Sequence, residues 1–290
     1  MANLRAIRNR IKSVENTRQI TKSMKMVAAS KLRRTQAAFG AQREFARRCE
    51  TILADVTAGV QDLRNPLLRP HPEVRTVCYV LVVGNRGLCG AYNQSLLRYM
   101  EELVRQDGRD GFLVVCGRWG KDLLPDIGIP IRRSFDAISD TPAAAEAREV
   151  AAYLRQLYLD GEADEIRLVY QHYKSVLQQN PGQEPLLPIQ RPEKGGEGSR
   201  YLFEPDRDSL LDKLLDMYID NTIHSVLLEA RTGEHSARMT AMTAAADNTE
   251  ELIHELTLEL NHARQSAITT EISEIVGGAA ALNQEKETEA

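Results

Sequence analysis

The sequence predicts an α/β protein: a long antiparallel coiled coil of the N- and C-terminal helices with a mostly parallel sheet domain inserted between them. Three observations carry this reading. From Ala2 to Gly59 the chain has no proline and one interior glycine, Gly40, in a run of helix formers. A second such tract runs from Asp206 to Val276, with Pro205 just before it and Gly233 as its one interior breaker. Between the tracts the hydrophobic period changes, and strand-like runs alternate with helical ones.

The first tract carries Leu4, Ile7, Ile11 and Val14 at spacings of 3, 4 and 3, after which the apolar stripe shifts to Ile20, Met24 and Val27. The last tract repeats the pattern with Ile253, Leu256, Leu260, Ala263 and Ala267, then shifts to Ile268, Ile272 and Ile275. An average spacing of 3.5 is a coiled-coil seam, and each shift reads as a stutter that relaxes the supercoil. At about 1.5 Å per residue the tracts would reach roughly 85 and 105 Å. A compact domain cannot hold either one, so the two ends are expected to pair with each other. A middle domain connects them, so one tract returns along the other.

Strands are expected at Thr76 to Val83, Phe112 to Gly117, Ile129 to Phe135, Ile166 to Tyr173 and Leu186 to Arg191. Helical spacing fills "NQSLLRYMEELVRQ" and "PAAAEAREVAAYLRQLYLDG", with a shorter helix around Trp119 to Leu124. Alternation of this kind gives a Rossmann-like parallel sheet with helices on its faces. "RPEKGGEGSR", Arg191 to Arg200, has the composition of a flexible surface loop. The expected division is an N-terminal helix over 1–59, the Rossmann-like domain over 73–200 and a C-terminal helix over 206–286.

Composition narrows the function. Aromatic residues are sparse at 5% and charged residues make up 27%, a mixture suited to long helices. The net charge of −4 hides an asymmetry: Met1 to Arg34 carries ten Lys or Arg against one acid, Glu15. Cys49, Cys78, Cys89 and Cys116 show no CxxC pair and no metal-ligand spacing, so they read as reduced thiols. No run of 18 apolar residues exists, and the N-terminus lacks the apolar segment of a secretory signal.

Catalytic constellations fail in turn. The loop "GNRGLCGAYN", Gly84 to Asn93, follows a strand as a phosphate-cradling loop does. Its glycines, however, are spaced GxxGxxG rather than GxGxxG, no acid ends the second strand, and GK[ST] is absent. A sharp strand-to-helix turn is the better reading, with no cofactor. The six histidines form no HExxH, and Glu271 with Glu274 reads as surface charge. The basic N-terminal helix leaves two partners open, a nucleic acid backbone or an acidic protein surface. A free-standing coiled-coil scaffold or nucleic-acid clamp is therefore the alternative function.

Four blocks in order decide the comparison. "RIKSVENTRQITKSMKMVAASKLRR" (Arg10 to Arg34), "GLCGAYN", "SARMTAMTAAADN" (Ser236 to Asn248) and "ITTEISEIVGGAAA" (Ile268 to Ala281) resemble the gamma subunit family of bacterial rotary ATP synthases over essentially the whole chain. The resemblance implies a non-catalytic central rotor stalk, one copy per complex. Its coiled coil would enter a hexamer of alpha and beta subunits, its foot would sit on a ring of c subunits, and an epsilon subunit would bind alongside. Proton flow turning the ring would drive the beta subunits through successive nucleotide-binding states. By motif position, Met24, Lys25, Arg238, Gln265, Thr269 and Glu271 are implied to face the hexamer, with Arg86 and Cys89 near an acidic collar. Tyr201 and Glu204 in "YLFEPD" are implied to approach the c ring and epsilon. The location implied is peripheral, on the cytoplasmic face of the bacterial cell membrane, with no nucleic acid. The chain departs from the family where Gly84 and Asn85 replace the usual Ser-Asp before Arg86, and it lacks the cysteine-bearing insertion of chloroplast relatives.

Overall fold

The computed structural model describes residues 2–57, 65–119, 127–190 and 207–288. Two helices dominate it: α1 (Ala2–Thr57) and a last helix, α4 (Arg207–Thr288). The chain forms two compact units. One comprises Met1–Lys25 with Met242–Ala290, and the other comprises Met26–Ala241.

The first unit pairs the two ends of the chain as an antiparallel coiled coil. On α1 the covered positions include a seam of Leu4, Ile7, Ile11, Val14, Arg18, Thr21 and Lys25. On α4 they include Met242, Ala246, Thr249, Ile253, Leu256, Leu260, Ala263 and Ala267. Both follow alternating steps of 3 and 4. The expected stutter on α1 is therefore corrected: the heptad runs on through Ala28, Leu32, Thr35 and Phe39 to Val56, while Ile20 and Val27 stand 60% and 56% exposed. Apolarity misled here because threonine serves as a seam residue. Thr21 donates its hydroxyl to the Arg18 carbonyl at 2.9 Å and Thr35 to Leu32 at 3.1 Å, so no side-chain donor is left unmet. The second expected shift is corrected as well. Ile268, Ile272 and Ile275 are exposed, as is every residue from 268 to 278, because α4 continues past the last position at which its seam is covered.

The second unit is a three-layer α/β domain. The sheet has the order β3-β2-β1-β4-β5, with β1 (Thr76–Val82), β2 (Asp110–Cys116), β3 (Ile131–Phe135), β4 (Glu165–Ser175) and β5 (Gln178–Leu187). The first four strands are parallel and β5 is antiparallel to β4. Side-chain alternation along β1 sorts the core into two. Val77, Tyr79, Leu81 and Val83 pack with Leu96, Leu97 and Met100 of α2 (Tyr92–Asp107). Cys78, Val80 and Val82 pack with Val150 and Leu154 of α3 (Ala144–Leu159) and with Leu53, Leu215, Ile219 and Leu227 of the two long helices. Within this unit the long helices run antiparallel: Gln42 bonds Asn221, while Glu50, further along α1, faces Tyr218, earlier on α4.

One strand moves from its expected place. Leu186 to Arg191 was the expected fifth strand, but β5 is "QQNPGQEPLL" and forms a hairpin with β4. Two prolines and a glycine hide it. They are tolerated because β5 is an edge strand, and Gly182 crosses so close to β4 that a Cβ there would lie 2.5 Å from the His172 ring. Gly233, the one interior breaker of the last tract, does not break its helix, and a Cβ there would lie 3.0 Å from Cε2 of Tyr92. The expected short helix and the loop at 191–200 fall mostly or wholly outside the described residues, as do Tyr201 and Glu204.

Candidate functional site

The strand-to-helix loop after β1 is held by a charged array on α4. Arg231, Glu234 and Arg238 occupy successive turns of one helical face, and their side chains are 1%, 1% and 10% exposed. Glu234 accepts from Arg231 Nη1 at 2.8 Å and from Arg238 Nη2 at 2.6 Å. The remaining bonds of the array go almost entirely to the loop. Arg231 donates to the carbonyl of Val83 at 3.1 Å and to Asn85 Oδ1 at 2.9 Å. Arg238 donates to the carbonyls of Arg86 and Gly87 at 3.1 and 3.3 Å. Glu234 in turn accepts the backbone N–H of Asn85 at 3.3 Å.

This answers what the glycine-rich loop is doing. Its first two N–H groups are taken internally, Gly84 N–H by Asn93 Oδ1 at 2.9 Å and Asn85 N–H by Glu234. A carboxylate thus sits where a phosphate-cradling loop would offer donors to an anion. Gly84 is required for that approach, since a Cβ would lie 3.0 Å from both Glu234 Cδ and Asn93 Oδ1. Burial alone would raise the Glu234 carboxyl, yet the guanidinium groups of Arg231 and Arg238 hold it below the ordinary carboxylate range. Next to it, burial lowers His235, with Glu234 opposing and Arg238 reinforcing that shift. On the same unit Lys31 of α1 pairs with Asp140.

The loop divides into an anchor and a tip. Cys89 is 3% exposed and faces inward, accepting from Asn93 Nδ2 at 3.3 Å. Burial raises its thiol. Arg86, Gly87 and Leu88 face outward. Leu88 has φ of 60° and is 63% exposed, an uncommon backbone region for a bulky residue. Beside the loop lies a hollow of about 270 Å³ lined in part by Gly90, Gln171, Leu177 and Thr240.

Of the residues expected to meet partners, Arg86, Cys89 and Arg238 are brought together here. Met24 and Lys25 are half-buried in the coiled-coil unit, where Gln265, Thr269 and Glu271 are exposed along α4. Sequence reasoning missed Arg231, Glu234 and Leu88. The signal for the first two was available as charges at i, i+3 and i+7 in "RTGEHSAR", a ladder along one helical face. Among the described residues no group of three or more His, Cys, Asp or Glu could hold a metal ion, and no helix is long and apolar enough to cross a membrane.

Two long helices and an inserted Rossmann-like domain, whose loop after β1 is bonded into α4, define the class of protein: a long-helix protein with an α/β insertion. The family model described as ATP synthase matches residues 3–282. Among similar proteins, the ATP synthase gamma chain of Desulforamulus reducens is 44% identical over 284 residues, covering 97% of this chain and 100% of that one. The gamma chain of Chlorobaculum parvum is 40% identical over 293 residues, covering 98% and 100%. The chain belongs to the ATP synthase gamma chain family. The same fold occurs in the rotor of the Euglena gracilis mitochondrial ATP synthase, with a TM-score of 0.65 at 19% identity over 92% of this chain and 99% of that one. It occurs also in the central stalk and c-ring structure of the Tetrahymena thermophila mitochondrial enzyme, with a TM-score of 0.58 at 22% identity, covering 78% and 99%.

Proposed function

We propose that this chain is the central rotor stalk of a proton-translocating ATP synthase, transmitting rotation of a c-subunit ring to the catalytic beta subunits while holding no substrate itself. The observation that carries the reading is the coiled-coil unit. Ile20 and Leu258 stand exposed beside its covered seam, and past the last covered position α4 presents Ile268, Ile272, Ile275 and Val276. Exposed apolar side chains along a rod fit a partner that surrounds it. A stiff pair of helices with asymmetric side chains can turn inside such a partner and favour one catalytic subunit at a time.

In this reading Met24, Lys25, Gln265, Thr269 and Glu271 meet the alpha and beta hexamer, together with the loop region, where exposed Arg86 makes the contact and buried Cys89 and Arg238 support it from behind. Tyr201 and Glu204 approach the c ring and the epsilon subunit. The exposed basic side chains of the N-terminal helix meet acidic collar residues rather than nucleic acid. The stalk is peripheral to the membrane on its cytoplasmic face.

The test is co-expression with alpha and beta subunits from the same source, with a bead attached through a cysteine introduced in the foot. The expected result is unidirectional rotation with three dwells per turn during ATP hydrolysis. A chain that fails to co-purify, or a bead that stays still while the hexamer consumes ATP, would sink the proposal and favour the scaffold alternative.

A further inference from the structure

The charged array on α4 does more than fill a core. Two guanidinium groups and a carboxylate are buried together, an arrangement that apolar residues of similar volume commonly match or better in stability. Its outward bonds from Arg231 and Arg238 converge on one short stretch, the carbonyls of Val83, Arg86 and Gly87 and the side chain of Asn85. Apolar substitutes would fill the space but could not grip a backbone. Immediately after the gripped stretch comes Leu88, at φ of 60° and 63% exposed. A left-handed leucine with its side chain in solvent gains little from its own packing, so neighbouring contacts must hold it there.

We propose that Glu234 is a positioning residue: through Arg231 and Arg238 it fixes the loop so that Arg86 and Leu88 project as a rigid tip, and coupling through that tip depends on it. The proposal rests on the stalk reading. Glu234 touches no partner. Its effect is to remove the loop's freedom before contact, so that the entropy of ordering the tip is not lost at each encounter.

The experiment uses the assembled complex in inverted membrane vesicles and reads proton uptake per ATP hydrolysed. The variants are Glu234→Gln, Leu88→Asn, Arg86→Gln, and Glu234→Gln combined with each of the other two. Leu88→Asn keeps the left-handed backbone accessible without the extra freedom of glycine and replaces the tip's apolar group by a polar one. Each single variant is expected to lower the coupling ratio by roughly fivefold or more. The double variants are expected to be no worse than the poorer single, because Glu234 acts through the tip. Effects that multiply in the doubles, or an unchanged ratio in Glu234→Gln, would overturn the proposal. If Glu234→Gln fails to assemble, an unchanged ratio in both tip variants overturns it equally. Failure of the stalk reading looks different: the unmodified chain then supports no ATP-driven proton uptake at all.

Discussion

Glu229 offers a sharp test of how the sheet domain is seated on the C-terminal helix. Its carboxylate on α4 accepts the backbone N–H of Tyr173 at 2.8 Å. The side chains of Tyr170 on β4, Glu184 on β5 and Arg43 on α1 also act on it. Burial is the main influence and pushes the carboxyl up from 4.5 to about 7, with Glu184 adding to the rise and the Tyr173 N–H and Arg43 opposing it. A raised folded value means that between pH 4.5 and about 7 the native protein binds a proton the unfolded chain releases. Stability from this group is therefore fully present below pH 4.5 and is lost as pH rises through about 7. At about 1.4 kcal/mol for each tenfold change in proton affinity, the gap comes to roughly 3 kcal/mol. Glu229→Gln keeps an acceptor for Tyr173 and removes the charge. It should unfold at nearly the wild-type denaturant midpoint at pH 4.5 and be more stable by about 2 to 3 kcal/mol at pH 8, measured by urea unfolding followed by circular dichroism. An equal difference at both pH values, or none at either, would refute the reasoning.

Gly233→Ala sets helix propensity against packing: alanine gains about 1 kcal/mol in a helix interior, but Tyr92 is 5% exposed and bonded to the Ala230 carbonyl at 2.7 Å. With no room to yield, the variant should be destabilised by about 1 to 2 kcal/mol, and a raised melting temperature would show that helix propensity outweighs packing at this position. Arg238→Ala leaves Glu234 short of a partner in the interior and should cost about 3 to 5 kcal/mol, whereas Gln265→Ala on the exposed face should stay within about 0.5 kcal/mol. Thermal melts of both separate a partner contact from a fold contact before any coupling assay is read. Cys49, Cys78, Cys89 and Cys116 are all free and buried, so maleimide labelling should be slow in the native chain and complete in denaturant; rapid native labelling of Cys89 would show that the loop opens. If the basic helix instead grips nucleic acid, duplex DNA should bind with submicromolar affinity that falls steeply with salt; the stalk reading expects no such binding.

The long helices, the alternating middle and the four blocks of family resemblance were legible in the linear sequence. Helix propensity and hydrophobic period are local quantities, repeated often enough in "RNRIKSVENTRQ" or "LIHELTLELNHA" to outweigh single exceptions. Tertiary structure decided the places where one residue's role depends on a distant neighbour. Thr21 and Thr35 became seam residues by turning their hydroxyls to their own backbone, while Ile20 and Val27, more apolar, stayed exposed. "QQNPGQEPLL" became a strand because an edge position spares prolines their missing donor and His172 leaves room only for glycine at 182. Gly84 and Gly233 owe their identities to α4 and α2 lying against them, some 150 and 140 residues away along the chain. The clamp of Arg231, Glu234 and Arg238 on the loop after β1 is of the same kind. Buried charges are stable only when paired, and the carbonyls that complete this pairing come from sequence nearly 150 positions earlier, a juxtaposition that no local pattern encodes.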